Sequence, residues 1–128
     1  MCGGVRFELT EKPLTAGYCH CTRCQRRTGG AASAQARIAP GTIRVLAGEE
    51  LVREYKPDDG WAKCFCGTCG SALWSVNPET NEIGSVRLGL FDPGHDVRPQ
   101  WHTYVDYACE WEPVPDDGLE RYPEAKPR

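Results

Sequence analysis

The chain has 128 residues, a formal net charge of −3 and eight cysteines. This length fits a single domain, and the acidic balance provides no broad attraction to nucleic acid or to anionic membrane surfaces, so neither is an expected partner. No apolar run approaches the roughly 18 residues that span a bilayer, and Met1 is followed by Cys2 and two glycines rather than by a signal segment. We therefore expect a cytoplasmic protein.

Short segments with alternating apolar residues predict a β-rich chain. Val5, Phe7 and Leu9 alternate with charged residues, as in a strand with one buried face. Four further segments have the composition of strands and are separated by turns with proline and glycine, namely residues 43–46, 51–55, 71–76 and 83–91. One helix is predicted from Thr22 to Thr28, with Thr22 as its N-cap and Gly29 as its stop signal. The fold class that follows is all-β and mainly antiparallel, with at most one short helix.

The C-terminal part of the chain differs in composition from the rest. It is rich in charged residues and carries prolines at positions 113, 115, 123 and 127. We expect one domain over residues 1–111, followed by a Pro-rich charged tail over residues 112–128 that wraps the surface or frays.

The spacing of the cysteines favours metal binding over disulfides. Cys19, Cys21 and Cys24 form C-x-C-x-x-C, which can aim three sulfurs at one point, whereas a disulfide between the first two would close a strained ring. Zinc binds thiolates at about 2.3 Å, and a catalytic zinc commonly keeps three protein ligands and one open position. We therefore expect an open zinc site at these three cysteines.

A second cluster, Cys66 and Cys69, has the C-x-x-C spacing of a zinc knuckle, and a glycine after each cysteine permits a tight turn. Cys2 and Cys64 are the nearest further candidates, while Cys109 stands alone and is interpreted as a packing residue. We expect two zinc sites, one of them structural. The alternative is one structural zinc with buried free cysteines elsewhere.

Three arginines, Arg23, Arg26 and Arg27, flank the first cluster. They either offset its charge or pair with carboxylates of a ligand, or they form a solvated helix face. The sequence leaves these interpretations open.

The histidines and tryptophans are given structural roles. His20 is expected to point away from the neighbouring cysteines, His102 to be a hydrogen-bonded core or sheet residue, and His95 to be exposed in a Pro-Gly turn. The four tryptophans are expected to pack the core, with one or two of them forming a pocket wall as the minority interpretation.

Four sequence blocks occur in an order that resembles the glutathione-dependent formaldehyde-activating enzyme family, which also includes centromere protein V. The blocks are residues 2–7, residues 19–29, residues 65–71, and residues 98–102 together with Trp111. The resemblance covers nearly the whole chain, and four ordered blocks are far more specific than one C-x-x-C.

The resemblance implies a β-tent fold of antiparallel sheets with two zinc sites. It implies a structural zinc held by an N-terminal C-x-C and the later C-x-x-C, and a second zinc held by the C-x-C-x-x-C block. The ligands that carry over are Cys2, Cys66 and Cys69 for the structural site and Cys19, Cys21 and Cys24 for the other. The type activity joins formaldehyde and glutathione to give S-hydroxymethylglutathione and is classed as a carbon-sulfur lyase.

One departure from the family pattern concerns the start of the chain. The first cysteine of the opening pair is expected two positions before Cys2, upstream of Met1. Either the true start lies further upstream, or the fourth ligand comes from elsewhere, with Cys64 as the nearest thiol. A water ligand and a lost site are the remaining alternatives.

The sequence therefore predicts a zinc-dependent enzyme for a small thiol such as glutathione. A thiol that binds the open zinc loses its proton and becomes a nucleophile for a small electrophile such as formaldehyde. Catalytic residues beyond the open zinc site are not identified. The alternative is a non-enzymatic zinc-stabilised binding module, and a third hypothesis is thiol-based redox sensing.

Overall fold

The computed structural model describes residues 1–127 as ten strands, one α-helix and three short 3-10 turns. The strands are β1 Arg6–Leu9, β2 Thr15–Cys19, β3 Ser33–Arg37, β4 Ile43–Ala47, β5 Val52–Tyr55, β6 Ala62–Cys66, β7 Ala72–Val76, β8 Ile83–Arg87, β9 Trp101–Thr103 and β10 Glu120–Arg121. The helix, α1, spans Thr22–Thr28, and the 3-10 turns are Glu49–Leu51, Leu88–Leu90 and Val105–Tyr107.

Eight of the strands form one mixed sheet and two form a small second sheet. The large sheet has the order β10-β9-β2-β3-β8-β7-β6-β5, and the small sheet pairs β1 with β4. All pairs are antiparallel except β2 with β9 and β9 with β10, which are parallel. The expected all-β, mainly antiparallel class with one short helix is confirmed.

The large sheet has an apolar face and a polar face. Ala62, Cys64 and Cys66 point to the apolar side of β6, and Trp74 and Val86 lie on the same side of the neighbouring strands. The β1–β4 sheet covers this face, where the Phe7 ring meets Trp74 edge-on at 5.8 Å. Side chains at the alternate positions point to the polar face, because successive residues of a strand face opposite sides.

Helix α1 starts at a cysteine and ends at a glycine. The Cys21 sulfur is the N-cap and accepts a hydrogen bond of 3.3 Å from the Cys24 amide. Gly29 ends the helix in the left-handed conformation at φ 69°, and its amide donates to the Gln25 carbonyl. The helix bounds are as predicted, but the expected N-cap Thr22 is wrong by one residue, since the sulfur of Cys21 takes the role usually given to a hydroxyl.

The C-terminal segment is joined to the large sheet by backbone hydrogen bonds. The Tyr122 amide donates to the His102 carbonyl at 2.9 Å, and the Tyr104 amide donates to the Glu124 carbonyl at 3.0 Å. Through these bonds β10 extends the sheet beside β9. Within residues 1–127, the helix is too short and too polar to cross a membrane.

Candidate functional site

The C-x-C-x-x-C block brings three sulfurs together where β2 ends and α1 begins. Cys19 is the last residue of β2 and is buried, while Cys21 and Cys24 lie at the start of the helix and are partly buried. The three sulfurs lie within 4.8 Å of one another, so they could hold one metal ion. We call Cys19, Cys21 and Cys24 the helix triad.

Hydrogen bonds between these thiols favour a thiolate at Cys19. The Cys24 thiol donates to Cys19, and this bond, against the opposing effect of burial, lowers the pKa of Cys19 to about 5. The same bond and burial raise the pKa of Cys24. A group of thiols that readily loses a proton fits a zinc ion, which binds cysteine as the thiolate.

The second group of sulfurs is built on a tight turn after β6. The Cys66 amide donates to the Ser71 carbonyl, and the Gly70 amide donates back to the Cys66 carbonyl at 2.8 Å. Gly70 adopts φ 77°, a left-handed conformation that favours glycine. The turn places Cys69 next to Cys66, and Cys2 joins them with its sulfur 3.8 Å from that of Cys66.

These three sulfurs also lie within 4.8 Å of one another and could hold a second metal ion. We call Cys2, Cys66 and Cys69 the turn triad. The Ser71 hydroxyl lies 3.2 Å from the Cys69 sulfur, and its hydrogen bond lowers the pKa of Cys69 to about 5. The donor set is again three thiols. Among the common biological cations, zinc is one that binds such sulfur donors well.

The remaining two cysteines lie outside both triads. Cys64 is buried on β6, with its sulfur 3.8 Å from a Glu54 oxygen, and burial raises its pKa to about 11. The three sulfurs of the second group lie within 4.8 Å of one another, and Cys64 is not among them. Cys109 is partly exposed and lies 3.8 Å from the Glu112 carbonyl, so the expectation that it packs in the core is wrong.

A groove of about 640 Å³ runs along the polar face of the large sheet. Trp61 and Trp101 form its walls, and each ring lies against a glycine of the sheet. A Cβ atom at Gly17 would be 2.2 Å from the Trp101 ring, and one at Gly84 would be 2.5 Å from the Trp61 ring. The two glycines therefore leave the space that the two tryptophan rings occupy.

The groove is lined by basic residues and, among residues 1–127, by no carboxylate. Arg37 lies over the Trp61 ring at 5.3 Å, and Lys126 lies over the Trp101 ring at 4.9 Å. Lys63 is a third cation in the lining. We call this cavity the basic groove, and its composition favours an anionic ligand although the whole chain is acidic.

The basic groove lies next to the helix triad, although none of the three cysteines lines it. Cys19 pairs with Thr103 across β2 and β9, and both Thr103 and Tyr104 line the groove. Burial raises the pKa of Tyr104, and the nearby thiolates of Cys19 and Cys21 add to this shift. A ligand in the groove would therefore lie beside the strand partner of Cys19.

A chain of hydrogen bonds connects the C-terminal segment to the residue between two thiols of the helix triad. Asp117 lies 2.8 Å from His102 Nε2, and His102 Nδ1 lies 2.8 Å from His20 Nε2. The Asp117 carboxylate accepts a hydrogen bond from His102 Nε2, so in the neutral ring His102 Nδ1 is an acceptor. His20 Nε2 is therefore the donor of the second bond. Burial, with His102 as a further cause, lowers the pKa of His20, which keeps that ring neutral.

The histidines and tryptophans agree only in part with the positions expected from the sequence. His102 is a buried, hydrogen-bonded sheet residue as expected, but His95 is half-buried against the Phe91 ring rather than exposed. Of the tryptophans, only Trp74 lies in the core, and Trp111 is 69% exposed. The minority interpretation therefore describes Trp61 and Trp101, which form the groove walls.

Most of the basic residues near the helix triad were not predictable from its cysteine motif. Of the three flanking arginines, Arg23 pairs with Asp59 at the surface and Arg26 is exposed, so only Arg27 turns toward the sheet. Lys63 and Arg87 lie far from this cysteine motif in sequence and were not among the predicted site residues. Each of these two residues is a charged residue inside a strand-like apolar segment, and this placement is the sequence feature that could have indicated a functional role.

Comparisons with known proteins agree with this architecture. The sequence model of the family "Glutathione-dependent formaldehyde-activating enzyme" matches residues 1–107. A Halomonas elongata protein described as "Putative glutathione-dependent formaldehyde-activating enzyme" is 31% identical over 117 residues, which cover 86% of this chain and 74% of that protein.

A crystal structure of a Rhodobacter sphaeroides protein superposes with a TM-score of 0.55 at 25% identity, covering 94% of each chain. The fold is therefore shared with a protein solved by experiment. Since the family match spans most of the chain and includes both cysteine triads, the chain belongs to the glutathione-dependent formaldehyde-activating enzyme family.

Proposed function

We propose that the protein is a zinc-dependent carbon-sulfur lyase of the S-hydroxymethylglutathione synthase type, acting on glutathione or a similar thiol and on formaldehyde or a similar small electrophile. The observation that carries the proposal is that three thiols, able to bind one metal ion, lie next to residues of a groove lined by cations. The family and the Halomonas elongata relative support the same chemistry.

The residues of the helix triad fit a zinc ion with three protein ligands. A zinc ion held by these residues would supply positive charge beside an incoming thiol and so favour the loss of its proton. The chain's part is to hold three thiolates in place, with Cys19 fixed by the end of β2 and the other two by the first turn of α1.

The basic groove suits the rest of a glutathione molecule, which carries two carboxylates. Arg37 and Lys126 lie on the two walls and Lys63 in the lining, so cations flank the groove on both sides. The tryptophan rings hold the cations over their faces. Such positioning brings the sulfur and the carbonyl carbon together, which is the main requirement of this addition.

The reaction forms one S–C bond and needs no oxidant. The sulfur of the thiol adds to the carbonyl carbon, the C=O bond becomes a C–O single bond, and the proton that leaves the sulfur ends on the carbonyl oxygen.

Metal analysis combined with reaction rates tests the proposal. We expect two zinc ions per chain, one of which becomes labile when glutathione is added. We also expect exchange between formaldehyde and S-hydroxymethylglutathione, followed by NMR, to be faster than the spontaneous exchange.

The contrary result would be one tightly held zinc, no effect of glutathione and no acceleration. That combination would favour a non-enzymatic zinc-stabilised module. Release of metal with disulfide formation on mild oxidation, without acceleration of the exchange, would favour redox sensing instead.

A further inference from the structure

A buried arginine lies on the polar face of the sheet close to the helix triad. Arg87 is only 8% exposed, and its Nη1 atom donates to the Ser33 hydroxyl at 2.8 Å and to the Gln35 amide oxygen. Ser33 is the pairing partner of Cys19 across β2 and β3. A single residue, Ser33, therefore lies between Arg87 and the helix triad.

Two further cations approach the same region from other elements. Arg27, on the helix that starts at the triad, donates to the Cys64 carbonyl at 3.0 Å and reaches the Ser75 hydroxyl at 3.5 Å. Ser75 is the strand partner of Lys63 across β6 and β7, so Lys63 lies next to the serine that Arg27 reaches. We call Arg27, Lys63 and Arg87 the cation cluster.

The cation cluster lacks carboxylate partners. Among residues 1–127, none of its members forms an ion pair with aspartate or glutamate, and their hydrogen-bond acceptors are hydroxyl, amide and carbonyl oxygens. Arg87 Nε is buried and has no hydrogen-bond partner in this part of the chain. The thiolates of the helix triad are the negative charges nearest to Arg87, but they leave its Nε atom without an acceptor. A buried donor without an acceptor is costly, so it points to a missing ligand.

Local charge balance indicates the sign and size of that ligand. A zinc ion with three thiolates carries one net negative charge, and a fourth thiolate from the substrate makes it two. The three cations of the cluster leave one positive charge in excess. One monovalent anionic group would neutralise it.

The geometry of Arg87 indicates a carboxylate. Its Nη1 side is occupied by Ser33 and Gln35, whereas the edge that carries Nε is unused. A guanidinium edge presents two parallel N–H groups, which match the two oxygens of a carboxylate. Lys63, which lines the basic groove, is placed to meet the same group from the open side.

We propose that Arg27, Lys63 and Arg87 form a subsite for one carboxylate of the substrate, next to the position where the reacting sulfur binds. The inference rests on the proposed function for that position. The carboxylate belongs either to the thiol, as in glutathione, or to an electrophile of the 2-oxo acid class such as glyoxylate, which carries its carboxylate next to the reacting carbon.

Two pairs of probes separate these sources. With the cobalt-substituted protein, the change in the visible spectrum measures the affinity for glutathione and for its diethyl ester, which has the same thiol without free carboxylates. Ligand-observed NMR on the zinc protein compares glyoxylate with glycolaldehyde, the neutral aldehyde of similar size. We expect at least one carboxylate probe to bind about tenfold more tightly than its neutral counterpart, equivalent to about 1.4 kcal/mol.

Matched variants assign the preference to the cluster. Arg27→Gln and Lys63→Gln are expected to reduce the preference to less than about threefold, while Arg26→Gln, on the exposed side of the same helix, leaves it unchanged. Arg87→Gln is expected to have the same effect as the first two. If its buried position prevents folding, the other two variants still decide.

The outcomes separate this inference from the proposed function. Equal binding of charged and neutral probes, or a preference that survives in both Arg27→Gln and Lys63→Gln, would overturn the carboxylate subsite. A glyoxylate preference that depends on the cluster, together with a cobalt spectrum that no thiol changes, would support the subsite and contradict the thiol chemistry.

Discussion

The two cysteine triads have the same donor set but different surroundings. In the turn triad, Cys66 belongs to the buried core and its turn is closed by backbone hydrogen bonds. The helix triad lies next to the basic groove, and a cluster of cations is close to it. A metal in the first position would join the N-terminal segment to the core beside a second cavity, of about 670 Å³, whose lining carries both acidic and basic side chains. A metal in the second position would lie beside a groove whose described lining carries cations and no carboxylate. The charge of the surroundings, rather than the ligands, therefore favours a chemical role for the helix triad.

The largest effect that this comparison predicts is on stability at the turn triad. Cys66→Ser removes a thiolate ligand and places a hydroxyl at a position that is 2% exposed. We expect the free energy of unfolding to fall by about 4 kcal/mol or more, because metal-binding energy is also folding energy. Denaturant unfolding and zinc analysis would measure this change.

Cys64→Ser is the matched control, since Cys64 is 3% exposed on the same strand but lies outside the triad. We expect it to cost about 1 kcal/mol and to leave the zinc content unchanged. Equal losses of stability and zinc in the two variants would contradict the assignment of the turn triad.

The second prediction concerns chemistry at the helix triad. Cys21→Ser is expected to remove one zinc and to return the formaldehyde exchange to its spontaneous rate. Stability should fall by less than in Cys66→Ser, because serine is itself a favourable N-cap for α1 and because the three ligands lie within six residues of one another, whereas the turn triad joins Cys2 to Cys66. Exchange NMR and thermal unfolding would separate the two effects, and Cys109→Ser is the control outside both triads. A large loss of stability here would remove the contrast between the triads.

A smaller effect is expected in the basic groove. Arg37→Gln and Lys126→Gln each remove a cation from a tryptophan wall, and we expect each to weaken glutathione binding about two- to fivefold. The loss should shrink at high salt, since both side chains are exposed. Calorimetric titration would measure the affinity. Lys12→Gln is the control, because Lys12 lies away from this groove and pairs with Asp96; the same loss in that variant would argue against the groove.

The smallest expected effect is at the connection between the C-terminal segment and the helix triad. Asp117→Asn replaces the carboxylate that accepts a hydrogen bond from His102 by a neutral side-chain amide. The side-chain oxygen of the asparagine can still accept a hydrogen bond from the backbone amide of Leu119. We expect a modest decrease in Tm and, in ¹⁵N NMR spectra, a mixture of His102 tautomers. Asp116→Asn, at the neighbouring exposed position, should change neither. An unaltered His102 spectrum in Asp117→Asn would contradict the hydrogen-bond chain.

The sequence was informative where a residue type alone determines local structure. Gly29 marks the end of α1, and alternation at Phe7 and Leu9 marks β1. Strands β2 and β3 were not among the segments predicted from alternation, because Thr15–Cys19 and Ser33–Arg37 consist largely of small or polar residues. Their small side chains have a tertiary reason, since Trp101 packs directly on Gly17. A pattern of large apolar residues could not reveal such strands.

The candidate site was predictable in its sulfurs but not in its charges. Spacing alone brings Cys19, Cys21 and Cys24 together, because they lie within one strand end and one helical turn. Arg87 approaches them only through the pairing of β3 with β8, and such a long-range register is not visible in local sequence. The same holds for Asp117, whose contact with His102 depends on where the C-terminal segment lies.

Each wall of the basic groove packs against a glycine, which has no side chain. Gly17 and Gly84 each leave room for one tryptophan ring, so the width of the cavity is determined by the absence of two methyl groups. Substrate size can therefore evolve separately from substrate charge. A change at either glycine would shift a wall while leaving the cations and the cysteines in place, which makes this pair a natural starting point for redesigning the range of thiols that the protein accepts.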